Sequence, residues 1–275
     1  MTKSVSNITW VNPELLTELP DGLRESGAIA VREKFGTISA GDVLDVGTSN
    51  GDFIKVLMKV LRNYNSFTGI DISEKYFKEG REHFRGVPVD FIEMDAEEMT
   101  FQENQFDTVC ISYSLHHLEN IDKVLAEMYR VLKPSGYLII QEMYSDGEQT
   151  VAQQVDILVH HLDAKVDKLL GIPHFETLTR QRLRNYVNGL GLKEVDVFES
   201  SWSVKCLFCD HAKDCADPLH PSNIDLVLKE IDDNLTRVRE HSSYDEIREK
   251  AESLKERVKA EGSIGASVMY FFGRK

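Results

Sequence analysis

From residue 42 to residue 143 the chain alternates short, continuous apolar runs with amphipathic stretches. Residues 42–46 (DVLDV) form one such run and end at Gly47, which predicts a short buried strand entering a tight turn. Phe53, Ile54, Leu57, Val60 and Leu61 repeat at helical spacing and predict a helix over 52–61. Residues 67–72 predict a second strand, after which Ser73 is placed to cap a helix running to about residue 84. Val87, Val89 and Phe91 alternate as a third strand. Residues 106–112 read as a fourth strand and 121–132 as its helix, broken by Lys133-Pro134-Ser135-Gly136 before a fifth strand at 137–143. Strands alternating with helices predict a parallel sheet covered on both faces.

Beyond residue 143 the pattern changes. A long helix is predicted over 150–170, stopped by Gly171 and Pro173. Thr179 caps another, ended by Gly189 and Gly191, and 192–198 reads as a sixth strand. Two amphipathic helices follow a cysteine-bearing segment. The first carries Ile224, Leu228, Ile231, Leu235 and Val238; the second carries Ile247, Ala251, Leu254 and Val258. Residues 266–272 close the chain as a seventh strand with no crossover helix directly before it, so it is expected to pair antiparallel, next to the sixth. The predicted fold is α/β: a Rossmann-like, mostly parallel seven-stranded sheet with an antiparallel last strand, a helical cover and a helical insert. Its parts are an N-terminal helical segment (1–34), a core (35–145), a helical cover (146–190), the sixth-strand region (191–205), the cysteine loop with a helical hairpin (206–262), and the last strand (263–275).

Composition narrows the function. An apolar share of 41% suits a globular core. The net charge of −14 opposes a phosphate backbone and argues against nucleic acid as a partner. No apolar run approaches the roughly 20 residues of a membrane helix, and residues 1–10 have no signal-peptide core. Four cysteines do not make a disulfide scaffold in a chain of this size. The expectation is a cytoplasmic protein acting on a small molecule, with no membrane partner.

The densest chemistry lies in Val43-Leu44-Asp45-Val46-Gly47-Thr48-Ser49-Asn50-Gly51, a strand, a glycine turn and a helix start. Gly47 and Gly51 allow close backbone approach to a ligand, and a helix N-terminus offers N–H groups to a carboxylate. Asp71, at the end of the next strand, is placed to accept ribose hydroxyl protons. A dinucleotide fingerprint requires three spaced glycines, and Ser49 and Asp52 occupy two of those positions. The stretch instead resembles the first motif of class I S-adenosylmethionine-dependent methyltransferases. Thr68-Gly69-Ile70-Asp71-Ile72-Ser73 resembles the family's ribose-binding strand end, and Met94-Asp95-Ala96-Glu97 its adenine-binding turn. Phe106-Asp107-Thr108-Val109, Leu115-His116-His117-Leu118 and Leu132-Lys133-Pro134-Ser135-Gly136-Tyr137 resemble the fourth strand, its loop and the approach to the fifth. The likeness covers about residues 35–145 and is greatest to small-molecule enzymes of the ubiquinone and menaquinone C-methylating type. It departs at Ser49, where the family carries a glycine. It implies S-adenosylmethionine as cofactor, held by Asp45, Gly47, Ser49, Gly51, Asp71, Ile72, Asp95, Ala96 and Ser112.

Methyl transfer needs a nucleophile aligned with the sulfur–methyl bond, and a base where the nucleophile carries a proton. His116 and His117 are candidates for that base, with packing beneath the cofactor as the alternative. On the helix over 150–170, Leu158, Leu162, Val166 and Leu169 form one stripe and Asp156, His160, Asp163 and Asp167 another. The polar stripe is either a solvated face or a lining for the substrate pocket or a metal, and His160 is expected to reach the substrate cavity under a roof around Trp10. Cys206, Cys209, His211 and Cys215 have the types and spacing of a structural zinc site, with unligated thiols as the alternative. The hairpin packs on the catalytic domain or forms a homodimer contact. The rival functions are a cofactor-binding regulator or scaffold without methyl transfer, and a different enzyme on the same fold that uses the cysteines.

Overall fold

The structure, a computed structural model, describes residues 19–275; the expected roof around Trp10 lies outside them, as does residues 1–18 of the N-terminal segment. Its centre is a seven-stranded sheet made of β1 (Asp42–Val46), β2 (Ser66–Asp71), β3 (Val89–Glu93), β4 (Phe106–Ser112), β5 (Leu132–Met143), β6 (Lys193–Ser200) and β7 (Val268–Arg274). The order is β3-β2-β1-β4-β5-β7-β6. β1 to β5 are parallel, and β7 lies antiparallel between β5 and β6. The expected architecture is therefore present. The Lys133-Pro134-Ser135-Gly136 breaker behaves differently from its prediction. It does not end in a loop: it is absorbed into β5, where Leu132 pairs Phe106 across an irregular register and Ser135 takes φ 62°. Gly136 makes this possible, because a Cβ there would lie 2.6 Å from Leu132 and 2.7 Å from the Asp107 carbonyl.

Helices cover both faces. On one face α1 (Asp21–Arg24) precedes α2 (Ala28–Phe35), and α2, α3 (Asp52–Val60) and α4 (Phe77–His83) supply Phe35, Ile54, Leu57 and Phe77 against Val43, Phe67, Ile139 and Phe272. Phe35 stands edge-on to Phe272 with centroids 4.9 Å apart. Each such fully buried side chain contributes about 1.5–3 kcal/mol of apolar burial. On the other face α5 (Ile121–Val131) and α7 (Arg180–Gly189) cover Val46, Val109, Ile111 and Leu138.

The cover helix α6 (Val151–Leu169) starts with a capping box between Thr150 and Gln153. Val155, Val159, Leu162 and Val166 pack against Ile231, Leu235, Ala251 and Val258 of the hairpin α9 (Pro221–Arg237) and α10 (Tyr244–Glu261), which follows the short α8 (Ala212–Ala216). The apolar stripe is thus rotated from its predicted position, and Leu158 is 40% exposed. The hairpin seats on the cover, and the stripes it offered to a dimer are consumed within the chain. With the hairpin on one side and the core on the other, the Asp156–His160–Asp163–Asp167 arc faces the interior. A solvated face is excluded: the Asp156 carboxylate accepts the Ala266 N–H at 2.9 Å, and Asp163 accepts from the Asn234 amide.

Burial, and then the neighbouring Glu230 carboxyl, push the Asp163 carboxyl far above its ordinary value. The folded chain therefore keeps a proton there that the unfolded chain releases above pH ~4, so stability falls as pH rises through that range. Asp163→Asn, which cannot ionise, is expected to raise the unfolding midpoint by a few degrees, about 2–4 °C per kcal/mol recovered, and by more at pH 8 than at pH 5. Thermal unfolding at the two pH values checks this; a lower midpoint at both would show that the fold uses an ionised Asp163.

Candidate functional site

β1 and β4 are neighbours, but their connections leave toward opposite edges of the sheet. In open α/β sheets this opens a crevice at the strands' carboxyl ends. A cavity of about 1040 Å³ lies there. Its walls come from the turn after β1, the ends of β2 and β4, the Asp95–Ala96 turn, and the cover residues Ile172 and Pro173.

The turn after β1 fits a ligand pressed against backbone. Gly47 has φ 69°, and a Cβ there would come within 2.5 Å of the Ser114 hydroxyl. Ser49, which stands where the resembling family has glycine, takes φ 49°. A left-handed non-glycine residue costs roughly 1–2 kcal/mol. The turn is held nonetheless, because the Ser49 N–H donates to Asp71 Oδ2 at 3.0 Å. Asp71 Oδ1 accepts the Ser73 N–H at 3.1 Å. Each carboxylate oxygen keeps further acceptor capacity, so ribose hydroxyls can still bind. Ile72, 72% exposed, offers an apolar surface beside Asp71. Gly47, Ser49, Asp71, Ile72, Asp95, Ala96 and Ser112 all line the cavity.

Two expected cofactor residues sit back from the wall. Asp45 is 1% exposed and accepts from the Thr48 hydroxyl at 2.7 Å; burial pushes its carboxyl up to about 7 against that bond. It braces the turn from behind. Gly51, φ 83°, is the N-cap of α3 and packs on Phe84 and Phe91. The start of α3 is also less open than the motif suggests, because Asn50 Oδ1 already accepts the Asp52 N–H at 3.2 Å.

The charge on the wall selects the ligand. Among the described residues, Asp52, Asp71, Glu79, Asp95, Glu97 and Glu119 line it, against one ammonium, that of Lys205. Such a surface favours a cationic ligand and disfavours a pyrophosphate, which agrees with S-adenosylmethionine and its sulfonium and ammonium groups.

Of the candidate histidines, only His117 lines this cavity. Burial, then His116 and His174, lower its pKa to about 3. It is a neutral imidazole of low basicity, ill matched to proton abstraction near neutrality. His116 is 3% exposed; its Nδ1 donates to Glu142 Oε1 at 3.0 Å. His160 does not reach the cavity wall. It packs edge-on to His116, with ring centroids 4.6 Å apart, one layer behind His117. Sequence reasoning missed Tyr113, Gln141, Ser203 and Lys205 on the wall. Tyr113 has φ 50°, and burial pushes its phenol well up, so it stays a neutral hydroxyl. It follows strand four directly, a position that marks it as a candidate. Nothing in the spacing of Ser203 or Lys205 does, because they arrive from across the sheet.

The cysteine motif is not assembled as a metal centre. Cys209 and Cys215 touch each other, Cys206 packs beside Leu23 and Ala28, and the His211 side chain is 79% exposed beside Asp214. Among the described residues, Cys206, Cys209, His211 and Cys215 do not bring three ligand atoms together; His116, His160 and His174 do. The sequence spacing was right for zinc, but Cys206 is drawn into an apolar contact and His211 is turned to solvent.

Residues 44–140 match the family profile described as a methyltransferase domain. The chain is 30% identical over 132 residues to the ubiquinone/menaquinone biosynthesis C-methyltransferase of Psychromonas ingrahamii, and 33% identical over 132 residues to that of Hydrogenovibrio crunogenus. These alignments take in 46% of this chain and 53% and 52% of the relatives, so the chain spans about half their length. Among solved structures, the phosphoethanolamine N-methyltransferase 2 of Haemonchus contortus, in complex with S-adenosyl-L-methionine, matches with a TM-score of 0.51 at 16% identity, covering 93% of this chain and 54% of its own. The [4+2]-cyclase SpnF matches at 0.54 and 18%, covering 90% and 78%. These two likenesses show the fold. With the profile match over residues 44–140, they mark this core as similar to class I S-adenosylmethionine-dependent methyltransferase domains.

Two substitutions separate the glycines of the turn. Gly47→Ala meets both a positive φ and Ser114, and is expected to weaken S-adenosylhomocysteine binding by more than about tenfold, the effect of losing about 1.4 kcal/mol. Ser49→Gly relieves strain and is expected to change affinity less than about threefold. Calorimetric titration of both variants checks this, and unchanged affinity in folded Gly47→Ala would show that the turn is not the ligand's seat.

Proposed function

We propose that this protein transfers the methyl group of S-adenosylmethionine to a small-molecule acceptor bound under the helical cover. The observation that carries the reading is the acid-walled cavity at the β1/β4 crevice, with Asp71 on one side and the cover on the other. S-adenosylmethionine supplies a methyl group on a sulfonium, open to in-line displacement. In this reading Asp71 accepts the ribose hydroxyls, while Asp95 and Ala96 flank the adenine and Ile72 packs on its face. The methionine end runs toward Gly47 and the loop after β4. That places the methyl group before His117, Tyr113, Ile172 and Pro173. The last two restrict water, and the neutral Tyr113 and His117 offer hydrogen bonds that orient an acceptor.

The named relatives act in quinone biosynthesis, and the net charge of −14 disfavours a nucleic-acid acceptor, so a small organic molecule is the acceptor class proposed. The cytoplasm fits four unpaired cysteines. A cyclase on the same fold shows why the fold alone does not carry this reading.

Asp71→Ala is expected to weaken S-adenosylmethionine by roughly 10- to 100-fold, the loss of one or two charged hydrogen bonds. Calorimetry on the folded variant tests the site: unchanged affinity would remove Asp71 from it. Labelled methyl from S-adenosylmethionine should enter the small-molecule fraction of a metabolite extract and not the protein or nucleic-acid fraction. Tight cofactor binding with no transfer to any fraction would favour a regulator or scaffold.

A further inference from the structure

His117 on the cavity wall and the three histidines packed behind it come from separate parts of the chain. His116 and His117 lie in the loop after β4, His160 on α6, and His174 in the loop from α6 to α7. His116, His160 and His174 each direct a ring nitrogen to one place, and the three atoms lie within 4.8 Å of one another. We propose that His116, His160 and His174 form a binding site for a divalent transition-metal ion of the zinc type, joining the helical cover to the catalytic core. This site is independent of the methyl-transfer reading.

Three features point to a metal ion. The first is the tautomers. Asp167 Oδ2 lies 2.7 Å from His174 Nδ1, and Glu142 Oε1 lies 3.0 Å from His116 Nδ1. Each carboxylate is placed to accept an Nδ1–H, the tautomer that leaves Nε2 of that ring as a bare lone pair. Carboxylate–histidine pairing of this kind orients and strengthens metal-bound imidazoles. The second is spacing. His174 Nε2 and His160 Nε2 are 3.2 Å apart. Two nitrogens each about 2.0–2.1 Å from a tetrahedral zinc are separated by roughly 3.3–3.4 Å. His116 brings the third ring nitrogen, within 4.8 Å of these two. The third is charge. Glu142 is fully buried and, besides His116, accepts the Leu115 and Met143 N–H groups, at 2.9 Å each. Asp167 is also inside, on His174 and Arg237. A divalent cation among these three imidazoles would offset these enclosed carboxylates.

Three imidazoles leave a fourth position for water or a ligand. The consequence for the cavity is positional: His174 follows Ile172 and Pro173, and His116 precedes His117, so an ion here would set the wall that faces the acceptor.

The test uses the intact chain, stripped with a chelator and titrated with zinc against a chromophoric competitor. One equivalent should bind with sub-micromolar affinity. His160→Ala and His174→Ala should abolish that binding, Asp167→Asn should weaken it by roughly 10- to 100-fold, and the triple variant Cys206→Ser, Cys209→Ser, Cys215→Ser should retain it. Cobalt loaded into the unmutated chain gives a second measurement that does not depend on any variant folding. It should show visible ligand-field bands of a nitrogen-ligated site without thiolate-to-metal charge transfer. No zinc binding, binding that survives the histidine changes, or a thiolate spectrum would each overturn the proposal.

Discussion

β1 and β4 lie side by side, and the chain leaves them toward opposite edges of the sheet. No loop can then close the space between their carboxyl ends, and the cavity follows from that vacancy. The turn after β1 enters it with Gly47 because a side chain would strike Ser114, which itself belongs to the loop after β4. The two strand ends are thus fitted to each other. Asp71 closes the third side and locks the strained Ser49 through its N–H.

The cover is tied to this frame by polar groups. α6 is enclosed on both sides, by the hairpin through Val155, Val159 and Val166 and by the core through His160. Enclosed carboxyl groups are costly unless paired or protonated, and here each has a partner: Asp156 on the Ala266 N–H, the protonated Asp163 on Asn234, Asp167 on His174 and Arg237, Glu142 on His116 and two N–H groups. Such contacts are directional, so they hold the cover in one position over the crevice where an apolar contact would let it slide.

The core was legible from residues 42–143 because its signals are local. Strand runs, the glycine turn and Asp71 depend on neighbours within a few positions; the antiparallel β7 is also as expected, although α10 lies directly before it in the chain and packs on α6. Interactions between distant segments were less legible. The rotation of α6 is set by the hairpin some 60 residues later, so the stripe through Leu158 and the choice between a solvated and an enclosed arc could not be read from α6 alone. His117 looked suited to proton transfer on its ordinary pKa, but its burial among His116 and His174 comes from the fold. Lys205 and Ser203 reach the cavity across the sheet. The cysteine spacing resembled a zinc site, while the converging ligands lie on three segments with no shared motif.

The central claim is that the crevice holds S-adenosylmethionine with its methyl group turned to the wall where the core meets the cover. Magnetisation transfer from an isotope-labelled S-adenosylmethionine methyl in the acceptor-free complex measures this directly. The account predicts cross-peaks from that methyl to the ring protons of His117 and Tyr113, with the adenine protons instead near Ile72 and Ala96. Saturable binding in which the methyl shows contacts only to Ile72 and Tyr76, on the opposite side of the crevice, would contradict it.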